Sequence, residues 1–251
     1  MFKKPKIVGV LFIITVFVLV AASTQNNKIG ILSKKSHAEK LWKTSGHADA
    51  TSESFVHWDE DGEIQTSCAK CHSTPGFEDF IADGTVDSAA PLGTTVECQV
   101  CHTNEETGAL RNHTSVKFPS GITVENLGPE AICMECHQGR QSNTSVASHI
   151  ASAGVADDDT VSSSLRFRNI HYFPAAATQL GTFAQGGYQY SGKTYDARFD
   201  HVTGYNACIT CHNPHSLEVE MESCNTCHTA GMDSRFIGMY SDVSDPEDIR
   251  Y

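Results

Sequence analysis

All ten cysteines of this 251-residue chain fall in five short units of one form, two cysteines separated by two residues and followed at once by histidine. They are Cys68/Cys71/His72, Cys98/Cys101/His102, Cys133/Cys136/His137, Cys208/Cys211/His212 and Cys224/Cys227/His228. Cys-x-x-Cys-His is the attachment pattern of c-type haem: the two sulfurs add to the two vinyl groups of the porphyrin while the adjacent imidazole ligates iron. Structural zinc also uses paired cysteines, but a tetrahedral four-ligand site gives no reason for a histidine after every pair. A disulfide framework made of five tight loops cross-links almost nothing over long range. Thioredoxin-like redox chemistry needs one such motif in a βαβ setting, not five. The expected cofactor is five covalently bound haem c groups.

Five of the thirteen histidines are thereby committed as proximal ligands, and eight remain. A second histidine on each iron gives a six-coordinate, low-spin centre without a vacancy for substrate, which suits electron transfer. We expect His47, His57, His171, His201 and His215 in that role, with His37, His113 and His149 in reserve. His215 lies three residues past His212, so it is expected to serve a neighbouring haem. Methionine ligation would raise the potential, and Met134, Met221, Met232 and Met239 leave room for it only as an exception. No residue is assigned a catalytic role.

The elements that must position these groups are short. Lys3, Lys4 and Lys6, an apolar run from Ile7 to Val20 and the small residues Ala21, Ala22 and Ser23 have the three-part layout of a signal peptide. Residues 1–23 are therefore expected to direct export and leave 24–251 as one pentahaem domain, outside the cytoplasm in the periplasm or the extracellular space. Kept in place, the same apolar run would be an anchor. Ser36 to Gly46 reads as a capped helix, Ser52 to Trp58 as a second carrying His57, and Pro129 suits the first turn of a helix through Cys133 to His137.

The long interval between the third and fourth motifs opens with Ser/Thr/Asp-rich sequence from Gln141 to Ser164, a surface excursion in which Ser142 to Ala153 still fits a helix. Gly187 to Tyr190 and Thr194 to Ala197 flank Ser191-Gly192-Lys193 and suggest a small β-hairpin. The fold class expected is mostly loop and short α-helices with a small hairpin, a multihaem cytochrome c architecture in which the haems form the core. The apoprotein should not fold. A net charge of −12 and the lack of any basic block exclude nucleic acid as a partner.

The stretches Ser45-Gly-His47-Ala-Asp49, Phe55-Val-His57-Trp58, Cys71-His72-Ser-Thr-Pro-Gly-Phe77, Cys136-His137-Gln-Gly-Arg140, Asn169-Ile-His171-Tyr172, Gly186-Gly-Tyr188 and Asn213-Pro-His215 resemble extracellular multihaem c-type cytochromes over 36–228. The resemblance implies a loop-rich fold with bis-histidine haems in stacked and T-shaped pairs, passing electrons to an external acceptor. Some members of that group polymerise into nanowires, where a neighbouring subunit can donate an axial histidine; His37 or His47 would be the candidate here. The best-known filament formers of this size bind four haems, whereas five motifs stand in this chain.

The leading expectation is an exported electron carrier whose partners are redox proteins or other cytochromes, further copies of itself in a homopolymer, or an extracellular metal or mineral acceptor. The acidic surface suits weak, salt-sensitive encounters. Two other readings compete: a nitrite- or hydroxylamine-type reductase with one open-site haem, and a quinol dehydrogenase held by an uncleaved anchor. The reductases resemble this chain in haem count only, are longer, and commonly carry lysine in place of one motif histidine.

Overall fold

The computed structural model describes residues 30–157 and 159–228, so the expected signal segment lies outside the described residues. Helix α1 covers 30–42, longer at its start than the sequence suggests, because Ile31 to Lys35 contain no breaker and Ser36 sits inside the helix instead of capping it. It stops before Gly46. Thr44 Oγ1 and Ser45 Oγ donate to the carbonyls of Leu41 and Trp42 (2.9 and 2.7 Å) and so satisfy its end, while Trp42 Nε1 donates to Val96 O. Helix α2 is Glu53–Val56, opened by Ser52 as N-cap.

Helices α3 (Thr66–His72) and α4 (Thr74–Asp83) are joined by Ser73 alone, which ends one and caps the other. Ser73 Oγ accepts from Gly76 N at 3.0 Å and donates to Ala69 O at 2.9 Å. The junction closes so tightly that a Cβ at Gly76 would lie 2.4 Å from Ala69 O. Gly76→Ala is therefore expected to cost about 2 kcal/mol of stability, through overpacking against rigid backbone; a thermal melt followed by circular dichroism checks it.

Helix α5 (Cys98–Cys101) is a single turn that runs into β1 (His102–Asn104), paired antiparallel with β2 (Ala109–Leu110). A second ribbon pairs β3 (Val116–Lys117) with β4 (Thr123–Val124). Pro129 sits in a 3-10 turn, Gly128–Glu130, that feeds α6 (Ala131–His137), as its position in the sequence suggests. Helix α7 (Asn143–Ser152) starts behind Ser142, and α8 (Ala175–Leu180), α9 (Cys208–Cys211) and α10 (Met221–Cys224) follow.

The expected hairpin over 187–197 is not a strand pair. A turn forms at 191–192, but the two arms bond outward: Thr182 N donates to Asp196 O, Phe199 N to Gln179 O, and Gln189 N to Asn143 Oδ1. Helix α7 and the 3-10 turn at Gly181–Phe183 thus take backbone groups that a ladder would have used. Between the arms, Tyr190 N donates to the Tyr195 hydroxyl.

The apolar interior is divided into three small clusters. One joins Val116, Phe118, Leu127, Ala131, Met134, Ala176, Ala177, Leu180 and Ala184; a second joins Trp58, Ile64, Ala69 and Ala90; a third joins Phe77, Val100 and Ile132. Helix α6 contributes to two of them, so the third motif stands at the centre of the chain's packing. Short helices, small strand pairs and much loop are the fold class that the sequence suggests.

Candidate haem-binding centres

Each Cys-x-x-Cys segment forms a helical turn, which brings residues three apart to one side of the backbone and sends the following histidine onward beside them. His72 and His137 still belong to α3 and α6, whereas His102 and His212 leave their turns in extended conformation. All ten cysteines are free thiols, with no disulfide among them.

Four of the motif histidines face a second imidazole from a distant part of the chain. Ring centroids are 5.9 Å apart for His72 and His171, 6.1 Å for His102 and His215, 6.4 Å for His137 and His47, and 6.0 Å for His228 and His201. Two imidazoles bound end-on to one ion, with metal–nitrogen bonds of about 2 Å, hold their ring centres about 6 Å apart. The rings therefore fit an iron between them.

Hydrogen bonds set the tautomers. Nδ1 of His72 donates to Ser54 O (2.8 Å), that of His137 to Phe173 O (3.1 Å) and that of His212 to Leu217 O (2.9 Å), which leaves Nε2 as the bare lone pair. Burial first, and then the neighbouring His137 ring, pushes His47 down to about 4. His72, His171 and His215 are also pushed down, each chiefly by burial. Neutral imidazoles facing one another are what a metal needs and what two protonated histidines would not tolerate. Among the described residues no group of three or more His, Cys, Asp or Glu converges as a zinc site would.

His57 is placed differently from the other four expected partners: its Nδ1 meets Glu53 Oε1 at 2.7 Å and its ring stands edge-on to Trp58, which in turn packs on His72. Of the reserve histidines, His149 accepts from Arg166 N through Nε2, and His113 Nε2 meets Glu135 Oε1. His37 lies near enough to His215 to disfavour its protonation. The described residues include all thirteen histidines, and among them none stacks across from His212. The exposed Tyr172 and Phe173 directly follow His171 and offer apolar surface beside it.

The attachment turns also touch one another. Cys71 Sγ approaches Glu135 O (3.8 Å) while Cys136 Sγ approaches Lys70 O (3.9 Å), so α3 and α6 meet reciprocally, sulfur to carbonyl. The neighbouring Cys133 thiol and burial together push the Cys208 thiol far up. Cys101, pushed up to about 11 by burial, also feels Cys133. The α6–α9 contact is held by buried Glu130, which accepts from Cys208 N at 2.7 Å and from Arg198 Nη2 at 3.4 Å. Sequence reading missed both buried carboxylates, Glu130 and Glu135, since nothing in the local pattern marks them as interior.

Glu130→Ala strips the Cys208 amide of its acceptor and Arg198 of one of three, Asp200 and Asn206 O remaining, at a cost of about 1–3 kcal/mol. The expected result is faster amide exchange over 207–212, with the α3–α4 junction unchanged; hydrogen exchange read by mass spectrometry checks it.

The arrangement defines a protein that carries several covalently attached haems. A family model described as "Cytochrome c554 and c-prime" matches residues 26–103. The chain is similar to the C-type polyheme cytochrome OmcB of Geobacter sulfurreducens, at 26% identity over 241 residues, covering 72% of this chain and 31% of the relative. It is similar also to the C-type polyheme cytochrome OmcC of the same organism, at 27% over 215 residues, 67% of this chain and 26% of the relative. The chain thus spans less than a third of these relatives. No solved structure is matched. The matches and the five Cys-x-x-Cys-His motifs agree in likening the chain to multihaem c-type cytochromes.

Proposed function

We propose that the chain is an exported electron carrier with five haem c groups, attached through Cys68, Cys71, Cys98, Cys101, Cys133, Cys136, Cys208, Cys211, Cys224 and Cys227. Each group, when bound, supplies a one-electron ferric/ferrous couple. His72 with His171, His102 with His215, His137 with His47, and His228 with His201 would hold four irons from both sides. The observation that carries this reading is the set of four imidazole pairs, each formed between a motif histidine and one remote in sequence. The protein's part is to hold each pair in one orientation, to keep the imidazoles neutral, and to bring the motif turns into contact through Cys71/Cys136 and Cys133/Cys208. No substrate position is required. Partners are other redox proteins or cytochromes, or an extracellular metal or mineral acceptor met through the acidic surface.

Intact-mass measurement of haem per chain, with low-temperature EPR of the ferric protein, tests the reading. Five haems per chain with four low-spin, cyanide-insensitive centres is the expected result. A high-spin, ligand-binding centre at any of the four paired positions overturns it.

One observation favours a further reading, that the chain is a subunit of a homopolymer. His212 lacks a facing imidazole, and His47 is spent inside the chain against His137, which leaves His37 on the exposed α1 as the group a second copy would offer. His37→Ala should then abolish filaments in negative-stain images and leave one high-spin haem. Turnover of nitrite by the protein would instead support a reductase acting at that same centre.

A further inference from the structure

Helices α3 and α6 meet across an ion pair formed by their own motif residues. Lys70 and Glu135 each occupy the position just before the second cysteine of a motif, and Lys70 Nζ bonds Glu135 Oε2. The Glu135 side chain is only 3% exposed, against 21% for Lys70. Its other oxygen accepts from His113 Nε2 at 2.9 Å, and Gln138 Nε2 donates to Oε2 at 3.1 Å. Lys70 Nζ also lies 4.2 Å from the centre of the Phe80 ring.

Holding the helices together does not require this arrangement. A buried ion pair seldom stabilises more than apolar residues of the same shape, because desolvation offsets the attraction. Its location is what carries the inference: the carboxylate adjoins Cys136 in sequence, and its own backbone carbonyl contacts the Cys71 sulfur. It therefore lies between the two attachment points, where each electron that arrives changes the local charge by one. Inside the protein such a charge acts with little screening, whereas the more exposed Lys70 acts partly through water.

We propose that Glu135 sets the potentials of the two haems carried by α3 and α6, as a buried negative charge that disfavours reduction of both, with Lys70 as its partial counterweight. The inference rests on the haem reading above. His113 and Gln138 fix the carboxylate in place through hydrogen bonds. The shared charge keeps the two centres in step, so an electron on one meets a neighbour tuned in the same direction.

The experiment is a spectroelectrochemical titration of the holoprotein, wild type against Glu135→Gln and Lys70→Gln, with haem per chain measured by intact mass. Both variants break the same ion pair, so damage to structure would displace the potentials alike. The charge role requires opposite signs. Glu135→Gln should move two of the transitions to higher potential, with the ferrous-to-ferric ratio of those two rising on the order of tenfold at fixed potential. Lys70→Gln should move the same two to lower potential, and the remaining transitions should stay in place.

Shifts of the same sign in both variants, shifts spread over every haem, or none at all, overturn the proposal. Where Glu135→Gln fails to load haem, the sign in Lys70→Gln decides, and Glu135→Asp should retain the wild-type potentials. A wild-type chain without haem overturns the carrier reading and this proposal with it; a fully loaded chain with unmoved potentials overturns this proposal alone.

Discussion

Alanine in place of both Cys133 and Cys136 is expected to lower the yield of folded holoprotein about tenfold or more. The same change at Cys224 and Cys227 should remove one haem and little else. The difference lies in where the two motifs sit. Helix α6 gives Ala131 and Met134 to the largest apolar cluster and Ile132 to another, and Cys208, Cys101 and Cys136 pack against those clusters. It also touches α3 through Cys136 and α9 through Cys133.

Without a group attached there, three motif turns lose the surface they share, and the small apolar clusters cannot replace it. Single clusters of three to nine residues bury too little to offset the ordering of so much loop. Helix α10, in contrast, buries no residue. Intact mass and haem absorbance per chain, measured side by side for the two variants, check the expectation. A third-motif variant recovered at normal yield with only its own haem missing would show that α6 is not the hub.

Acid is expected to undo the imidazole pairs, and His47 marks the window. Its folded value of about 4 lies below the ordinary value of about 6.5. The folded state therefore binds fewer protons than the unfolded one between those limits, so stability rises with pH across the window. The contribution is complete above about pH 6.5 and is lost as pH falls through about 4. For this single buried ring it amounts to about 3 kcal/mol. His72, His171 and His215 are displaced in the same direction, so their losses add to it.

A titration from pH 7 to 3 followed by EPR should show low-spin signal giving way to high-spin signal as the window is crossed. His47→Ala should produce one such high-spin centre at pH 7 without acid. An unchanged low-spin population in that variant would mean that His47 is not opposite the iron of the third motif.

The chemistry was legible in the sequence because it is local. Cys-x-x-Cys-His is a contiguous signal, and the helical turns that present it form from the same residues. The start of a helix at Ser52, though it ends at Val56 and not at Trp58, the turn at Pro129 and the helix behind Ser142 were readable for the same reason: helix starts are decided within four residues. Where sequence reading went astray, distant partners competed. The arms around Gly192 form no ladder and give backbone groups to α7 and to the turn after α8, and Ser36 lies inside a helix already formed at residue 30. The short ribbons at 102–124 were passed over, although Val116-Lys-Phe118 and Ile122-Thr-Val124 flank a Pro-Ser-Gly turn that could have revealed the second.

The sequence by itself determined how many attachment turns exist, which histidine accompanies each, and that a surplus of histidines stands ready. Those facts depend on spacing along the chain and survive any fold. Only the tertiary structure decided that His171 meets His72 while His215 crosses to His102, that His57 turns to Glu53, and that His212 finds no partner ring among the described residues. It alone enclosed Glu130 and Glu135 between motif turns. Which imidazole faces which, and whether a carboxylate is buried, are set by packing between residues far apart in sequence, and no local pattern carries that information.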